Sequence, residues 1–266
     1  MKRTFLGLLA VYFGLPLLAA LLYSIATRWT DTPLPDGYTL EHWGKLVSKP
    51  DVAGALGRSL LLSLVVVAID IVLVVPAAYW SVVHNPRIGS VVQTVAVIPF
   101  AIPWVVVGAG IQLVTGSLVP QLGQTFLLLA LSTAAIAFPF MYWAVESSLV
   151  AAGAVQLSEA ASTCGASPAQ TLVRVILPAI RGGVISGSLL VVATAMNEFA
   201  LAKILVGVNY ETLPLWSARQ FVSRTLSDPN ALAVITVFTF GFLFAMSALV
   251  VRLGRGRVST IGRTLR

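Results

Sequence analysis

The chain has 266 residues, 58% of them hydrophobic and only 10% charged, with a mean hydropathy of +0.92. A soluble domain carries about 25% charge, so this composition excludes an ordinary soluble enzyme or binding domain and describes an integral membrane protein. The net charge of +7 is no nucleic-acid footprint, because the basic residues gather at the ends of apolar runs and in the tails, and the single Cys164 excludes an internal disulfide.

Lys2 and Arg3 open the chain, and the first apolar run is Phe5 to Ala26. Its 22 residues reach about 33 Å as a helix, enough for a bilayer core and too long for the apolar part of a cleavable signal. A polar segment over 27–57 follows, rich in turn formers and in aromatics such as Trp29, Tyr38 and Trp43. The second span is expected over Ser59 to Val83, with Asp70 and Pro76 inside it, closed by the turn His84-Asn85-Pro86-Arg87. The third is expected over Ile88 to Val114, kinked or partly unwound at Pro99 and Pro103. The fourth runs from Thr125 to Val150 and carries Pro139 and Glu146. The fifth is expected over Gly183 to Val206 and holds Asn197, Glu198 and Lys203, and the sixth over Asn230 to Val251 without a charge. Trp29, Trp43 and Trp216 are expected as anchors at the membrane surface.

Six spans place both termini on one side of the membrane. The tails, the turn at 84–87 and the segment between spans four and five hold ten of the Lys and Arg residues, and the opposite loops and span ends hold seven. Asp31, Asp36, Glu41, Asp51, Glu211 and Asp228 all fall on that opposite side. The more basic side, with both termini, is therefore expected to be cytoplasmic.

The segment between spans four and five, EAASTCGASPAQTLVRVILP over Glu159 to Pro178, is neither a long apolar run nor an evident loop. Leu157, Ala160, Ala161 and Cys164 recur at helical spacing and predict one apolar face, with Cys164 buried on it. Ser167-Pro168 suits the cap and first turn of a second helix, in which Leu172, Val175, Ile176 and Ala179 share a face apart from Arg174. Gly165 permits the turn between the two helices. Glu159-Ala160-Ala161, then Gly165, then Val175, Leu177 and Pro178 resembles the EAA loop of the permeases of ATP-binding-cassette (ABC) importers. Valine stands where isoleucine is usual, and Gly182-Gly183 where Pro-Gly often follows.

The resemblance covers roughly residues 56 to 250. It implies an all-α polytopic fold of the type I importer permease class (MetI-like): six transmembrane helices and a cytoplasmic helix–turn–helix coupling elbow. It divides the chain into a first span with an extracytoplasmic loop (1–55), a permease core (56–252) with its EAA loop at 156–181, and a basic cytoplasmic tail (253–266). It further implies a multi-pass protein of the bacterial inner membrane. Its partners would be separate ABC ATPase subunits, a second permease subunit of the same or another chain, an extracytoplasmic solute-binding protein and membrane lipid, with no nucleic acid. By the same resemblance Glu159, Ala160, Ala161, Gly165, Leu177 and Pro178 form the coupling element, the first helix docking in a groove of the ATPase. The residues themselves agree that energy must come from elsewhere, since the chain has no phosphate-binding glycine loop. His42 and His84 are not paired at ligand spacing, so neither a metal nor another cofactor is expected.

Intramembrane carboxylates face a bundle interior or a wet path, which makes Asp70 and Glu198, with Asn197, candidates for the solute path. The competing reading is helix–helix hydrogen bonding, with Asn197 and Thr194 as partners of Glu198. Glu146 is expected to pair with an arginine of the coupling segment or to meet water, and Lys203 to reach outward. The phrases WTDTPLPDGYTLEH, Asn197-Glu198-Phe199 and Glu211 to Leu215 resemble permeases for 2-aminoethylphosphonate and other phosphonates, then for polyamines (spermidine, putrescine) or iron. A membrane-embedded enzyme is the rival class, and it would need clustered carboxylates or histidines that this chain does not bring together in sequence.

Overall fold

The computed structural model describes residues 2–29, 32–222 and 229–255. Among these the chain is helical, apart from loops and one isolated antiparallel bridge between Ala26 and Tyr38. The expected tail beyond 255, and the charged residues Asp31, Arg224 and Asp228, lie outside the described residues.

The helices in chain order are α1 (Lys2–Ile25), α2 (Glu41–Val47), α3 (Pro50–Val83), α4 (Pro86–Ala101), α5 (Trp104–Leu118) and α6 (Phe126–Ala151). They are followed by α7 (Ala154–Thr163), α8 (Pro168–Thr171), a π-helical turn (Leu172–Ile176) and α9 (Leu177–Ala179). The last are α10 (Arg181–Met196), α11 (Ala200–Leu205), α12 (Leu213–Val222) and α13 (Pro229–Arg255). Among the described residues three helices are long and apolar enough to cross a membrane, or up to five if each bent pair is one span.

Three expected spans differ from what forms. The helix of the second span, α3, starts at Pro50 rather than Ser59, because Pro50 and Asp51 suit a first turn and no proline follows before Ser59, Gly54 and Gly57 being carried within the helix. The third is two helices, α4 and α5, bent by 102° at Ile102-Pro103. Pro103 has no amide hydrogen to continue α4 and forces Ile102 into extended backbone. Trp104 Nε1 donates to the Pro99 carbonyl at 3.0 Å, bracing the break. The fifth ends at Met196 and resumes as the short α11.

By internal packing the chain forms two compact units, Met1–Leu56 with Trp216–Leu249 and Gly57–Leu215 with Val250–Arg266. In the first, the 27–39 loop folds back on the end of α1, with Thr39 N–H donating to the Ile25 carbonyl and Thr27 N–H to that of Gly37. Asn230 Nδ2 donates to the Ala26 carbonyl at 2.7 Å, and His42 Nε2 lies 3.0 Å from the same oxygen. Trp216, expected at the membrane surface, is instead fully buried, Trp43 is half-buried, and Trp29 stacks on Tyr23 at 4.5 Å.

The second unit is built on α6, whose Leu129, Ala137, Met141, Tyr142, Val145 and Leu149 are fully buried. Small residues let α10 lie directly along α6. A Cβ on Gly187 would come within 3.1 Å of the Met141 Cα, and one on Gly183 within 2.7 Å of the Ala144 carbonyl oxygen. Gly108 does the same for α5 against α11, where a Cβ would meet Leu201 and Ile204 side-chain carbons at 3.2 Å.

Both ends of the apolar length of α3 are fastened within this unit. At one end Arg58 Nε donates to the Glu211 carbonyl at 2.6 Å, Tyr210 Oη to the Arg58 carbonyl at 2.9 Å, and Leu213 N–H to Ser59 Oγ at 2.8 Å. At the other, Tyr79 Oη and Ser158 Oγ of α7 share a buried hydrogen bond at 3.2 Å.

Candidate functional site

α7 begins at Gly153, which takes a left-handed φ of 65°, and its inward face is Ala154, Leu157, Ser158 and, half-buried, Ala161. That spacing of three, four and seven is the expected pattern begun three residues earlier, so Leu157 and Ala161 are shared and Ala154 and Ser158 stand in for Ala160 and Cys164. Ala160 and Cys164 are exposed, and so is Glu159. The reason is the Tyr79–Ser158 bond, which turns Ser158 rather than Ala160 toward α3. Cys164 is thus a surface thiol and not the buried residue expected.

Gly165 has φ 80°, and its N–H donates to the Ser162 carbonyl at 2.9 Å. Its absent side chain faces open space, so the backbone angle alone calls for glycine there. Ser167 then caps α8 in a reciprocal box, its hydroxyl accepting from Gln170 N–H and the Gln170 side chain accepting from Ser167 N–H. Leu172, Val175 and Ile176 turn inward as expected, with Arg174 exposed, but Ala179 is exposed and Ile180 takes the inward place. Between α8 and α9 the helix widens to a π turn, in which Leu177 N–H bonds the Leu172 carbonyl five residues back. Leu177 packs against the core, Pro178 is exposed, and the chain then bends by 79° into α10.

Of the three candidates for the solute path, Asn197 is exposed, whereas Asp70 and Glu198 are 2% and 1% exposed. Asp70 Oδ2 makes no hydrogen bond among the described residues. Glu198 sits in the break between α10 and α11, and its Oε1 accepts from Leu201 N–H in the first turn of α11. Asn197 and Thr194, expected as its partners, donate instead to the carbonyls of Ala193 and Leu190 in their own helix. Lys203 is exposed, with its ammonium 5.4 Å above the Phe199 ring.

Glu198 therefore serves α11 as a cap would. Glu198→Ala strands that buried amide and is expected to cost about 1–3 kcal/mol, read as a lower melting temperature of the purified protein. Glu198→Gln keeps an acceptor oxygen and should lose clearly less. Equal losses would remove the capping role, and a Gln variant of normal stability with no transport would place Glu198 on the solute path.

A polar constellation that sequence reasoning missed joins α3, α4 and α6. Gln93 Nε2 donates to Glu146 Oε1 at 2.8 Å, and Tyr142 Oη donates to the same oxygen at 3.3 Å. Tyr142 Oη also lies 3.3 Å from Ser81 Oγ. Glu146 is thus met by neutral donors, Gln93 of α4 and Tyr142 of its own helix, where an arginine of the coupling segment or water was expected. The i, i+4 spacing of Tyr142 and Glu146 was a usable signal, but nothing local pointed to Gln93, 53 residues away.

The described residues thus form a membrane chain of apolar helices, two spans of it bent, with a short helix pair between them. Residues 70–258 match the family described as "Binding-protein-dependent transport system inner membrane component", and the chain belongs to that family. It is an ABC-importer permease and an integral inner-membrane protein.

Among curated relatives, PhnV of Salmonella typhi, named as a 2-aminoethylphosphonate transport system permease protein, is 26% identical over 93% of each chain. The molybdenum transport system permease protein ModB of Mycobacterium tuberculosis is 28% identical over 83% of this chain and 85% of its own. The chloroplastic sulfate permease 2 of Chlamydomonas reinhardtii is 31% identical, over 77% of this chain and 56% of its own. In fold, the chain resembles one from a bacterial ABC transporter involved in the import of the acidic polysaccharide alginate, with a TM-score of 0.70, 17% identity and 94% of each chain covered.

Proposed function

We propose that this chain is a six-span permease subunit that passes a small charged solute, received from an extracytoplasmic binding protein, by alternating access driven by a separate ABC ATPase. The observation that carries the coupling role is α7. Ala154, Leu157 and Ser158 hold it to the core, while Glu159 and Ala160 face outward beside the turn at Gly165. A short helix fixed on one side and offered on the other can transmit a rigid-body movement. Glu159 and Ala160 make the contact, Ala161 and Gly165 keep α7 in place, and Leu177 and Pro178 end the second helix. The division into 1–55, a 56–252 permease core and a 253–266 cytoplasmic tail belongs to the same reading, as does a second permease subunit.

The solute most in keeping with the relatives is a phosphonate, with 2-aminoethylphosphonate as the first to test, because PhnV matches nearly the whole length of the chain. A simple oxyanion is the second reading, favoured by the molybdate and sulfate permeases. The relatives above include no polyamine or iron permease to support that alternative. Uptake of 2-aminoethylphosphonate, molybdate and sulfate by vesicles holding the assembled transporter separates these readings. Uptake of molybdate or sulfate without 2-aminoethylphosphonate would overturn the phosphonate reading.

The orientation follows from charge. Asp36→Cys is expected to react with an impermeant thiol reagent from outside, and Ser162→Cys only after the cytoplasmic side is opened, each in a Cys164→Ser background. External labelling of Ser162→Cys would separate α7 from any ATPase and defeat the mechanism. The corresponding positions Ser227 and Thr264 lie outside the described residues.

A further inference from the structure

α4 presents an open groove of about 610 Å³ lined by Ser90, Gln93, Thr94, Val97, Ile98 and Ala101. These positions recur at three, four, seven, eight and eleven, so they are one stripe along the helix. Its half nearest Pro86 is polar, while Val91 and Val95 on other faces are exposed and apolar. Thr94 gives its hydroxyl proton to the Ser90 carbonyl at 2.9 Å, but the Ser90 hydroxyl and the rest of the Gln93 amide would enter lipid only at a cost that the valines do not carry, so the stripe is better suited to water or protein than to acyl chains. Gln93 lies about 10 Å along α4 from Pro86, and Glu146 about 8 Å from the end of α6 at Ala151. Both therefore sit near the same mouth of the bundle.

Glu146 places a carboxylate one hydrogen bond from the groove, since Gln93 both lines the groove and donates to it. The oxygen used is Oε1, which also accepts from Tyr142. A carboxylate accepts and does not donate, and both of its recorded partners are neutral donors. Tyr142 gives its proton to Glu146 and Gln93 gives a second, while Ser81 gives its own to the Ala78 carbonyl at 2.9 Å. The side chains that bond Glu146 bring no positive charge to it, and the groove beside them carries none.

We propose that the Ser90–Gln93–Thr94 stripe, with Glu146 behind Gln93, is a cation-attracting station on the inner part of the solute path, suited to a primary ammonium group. This deepens the function proposed above and rests on it. A solute with both an ammonium and a phosphonate group meets an attractive charge here, whereas a bare oxyanion meets a repulsive one. The station thus favours the zwitterion over molybdate or sulfate.

The test needs no knowledge of the solute. Thr94→Cys in a Cys164→Ser background, assembled with its ATPase in permeabilised vesicles, is reacted with a cationic (trimethylammonium-ethyl) and an anionic (sulfonato-ethyl) methanethiosulfonate. Rates are scaled to those of a free thiol. The cationic reagent is expected to react at least about tenfold faster, the lower range of electrostatic focusing in a cleft. The preference should collapse when Glu146→Gln is added, a change that keeps an acceptor for Gln93 and Tyr142. No modification by either reagent would mean the stripe is packed or faces lipid, and equal rates would mean no charge selection. A preference that survives Glu146→Gln would assign it to another group, and each of these results overturns the proposal. Co-purification of the ATPase with the Thr94→Cys protein tests the underlying function separately, and its failure would count against the permease reading and not the station.

Discussion

Gly165→Pro and Ala160→Trp are each expected to abolish ATP-driven transport while leaving the protein inserted in the membrane, and Glu159→Lys to weaken its hold on the ATPase. The three act differently. Proline fixes φ near −65°, whereas Gly165 needs 80°, and it removes the N–H that bonds Ser162. The turn would have to open, and α7 would lose its angle. Gly165→Ala is the milder control, since space is open around the Cβ and only a backbone cost of about 1 kcal/mol applies. Ala160 is exposed, so a tryptophan there disturbs nothing in this chain and obstructs only what docks against α7. Ala161 is a poorer probe, being half-buried on the side of α7 turned to its own core. Glu159→Lys reverses the charge on the outward face. Capture of the ATPase from membranes, with solute-stimulated ATP hydrolysis, reads all three. If every variant keeps the ATPase and hydrolyses like the parent, α7 is not the coupling element.

The second large effect lies between α6 and α10. Gly183→Ala adds one methyl carbon, but it would sit 2.3 Å from the Ser148 Cβ and 2.7 Å from the Ala144 carbonyl oxygen. Neither atom can move by a change of rotamer, since a Cβ is placed by its own backbone; both are held in α6, and the two helices would have to part. Overpacking typically costs about 1–3 kcal/mol where neighbours can adjust, and here adjustment means displacing a whole helix. The expected result is little or no folded protein in membranes, measured as a monodisperse peak in detergent. Gly182 supplies an internal control, since a Cβ there meets nothing within 4 Å, and Gly182→Ala should leave that peak unchanged. Equal behaviour of the two variants would show that the helices do not approach as closely as described.

The contrast between neighbouring glycines also indicates what the sequence made legible. Features set by a few adjacent residues were readable: the cap at Ser167, the proline opening of α8, the turn at Gly165 and the break beside Pro103. Each follows from a backbone angle or a missing amide that one residue type imposes. What depended on distant neighbours was not readable. No proline or glycine marks the interruption at Asn197 to Phe199; it arises where α11 packs over Gly108 of α5 and Glu198 caps it. Two of the four residues on the inward face of α7 were misassigned because the residue that sets that face, Tyr79, lies in another helix. Trp216 is enclosed, and Glu146 meets Gln93, for the same reason. That Asp70 and Glu198 turn away from lipid was legible, but whether they meet protein or water was not, since a span shows its length and not its neighbours.

α3 has one further property. Ser59 and Tyr79, its two fastening points, are 20 residues apart, about 30 Å along the axis. Between them it is helical without interruption, but Pro76, less than one turn before Tyr79, has no amide to give the carbonyl of Val72. Such a member behaves as a connecting rod with a soft joint near one bearing. A tilt of about 5° about the Ser59 end carries the Tyr79 end sideways by roughly 2.6 Å at this length, a displacement comparable to the sliding of packed helices. The 210–213 segment and the seat of α7 are thus tied to the two ends of one part.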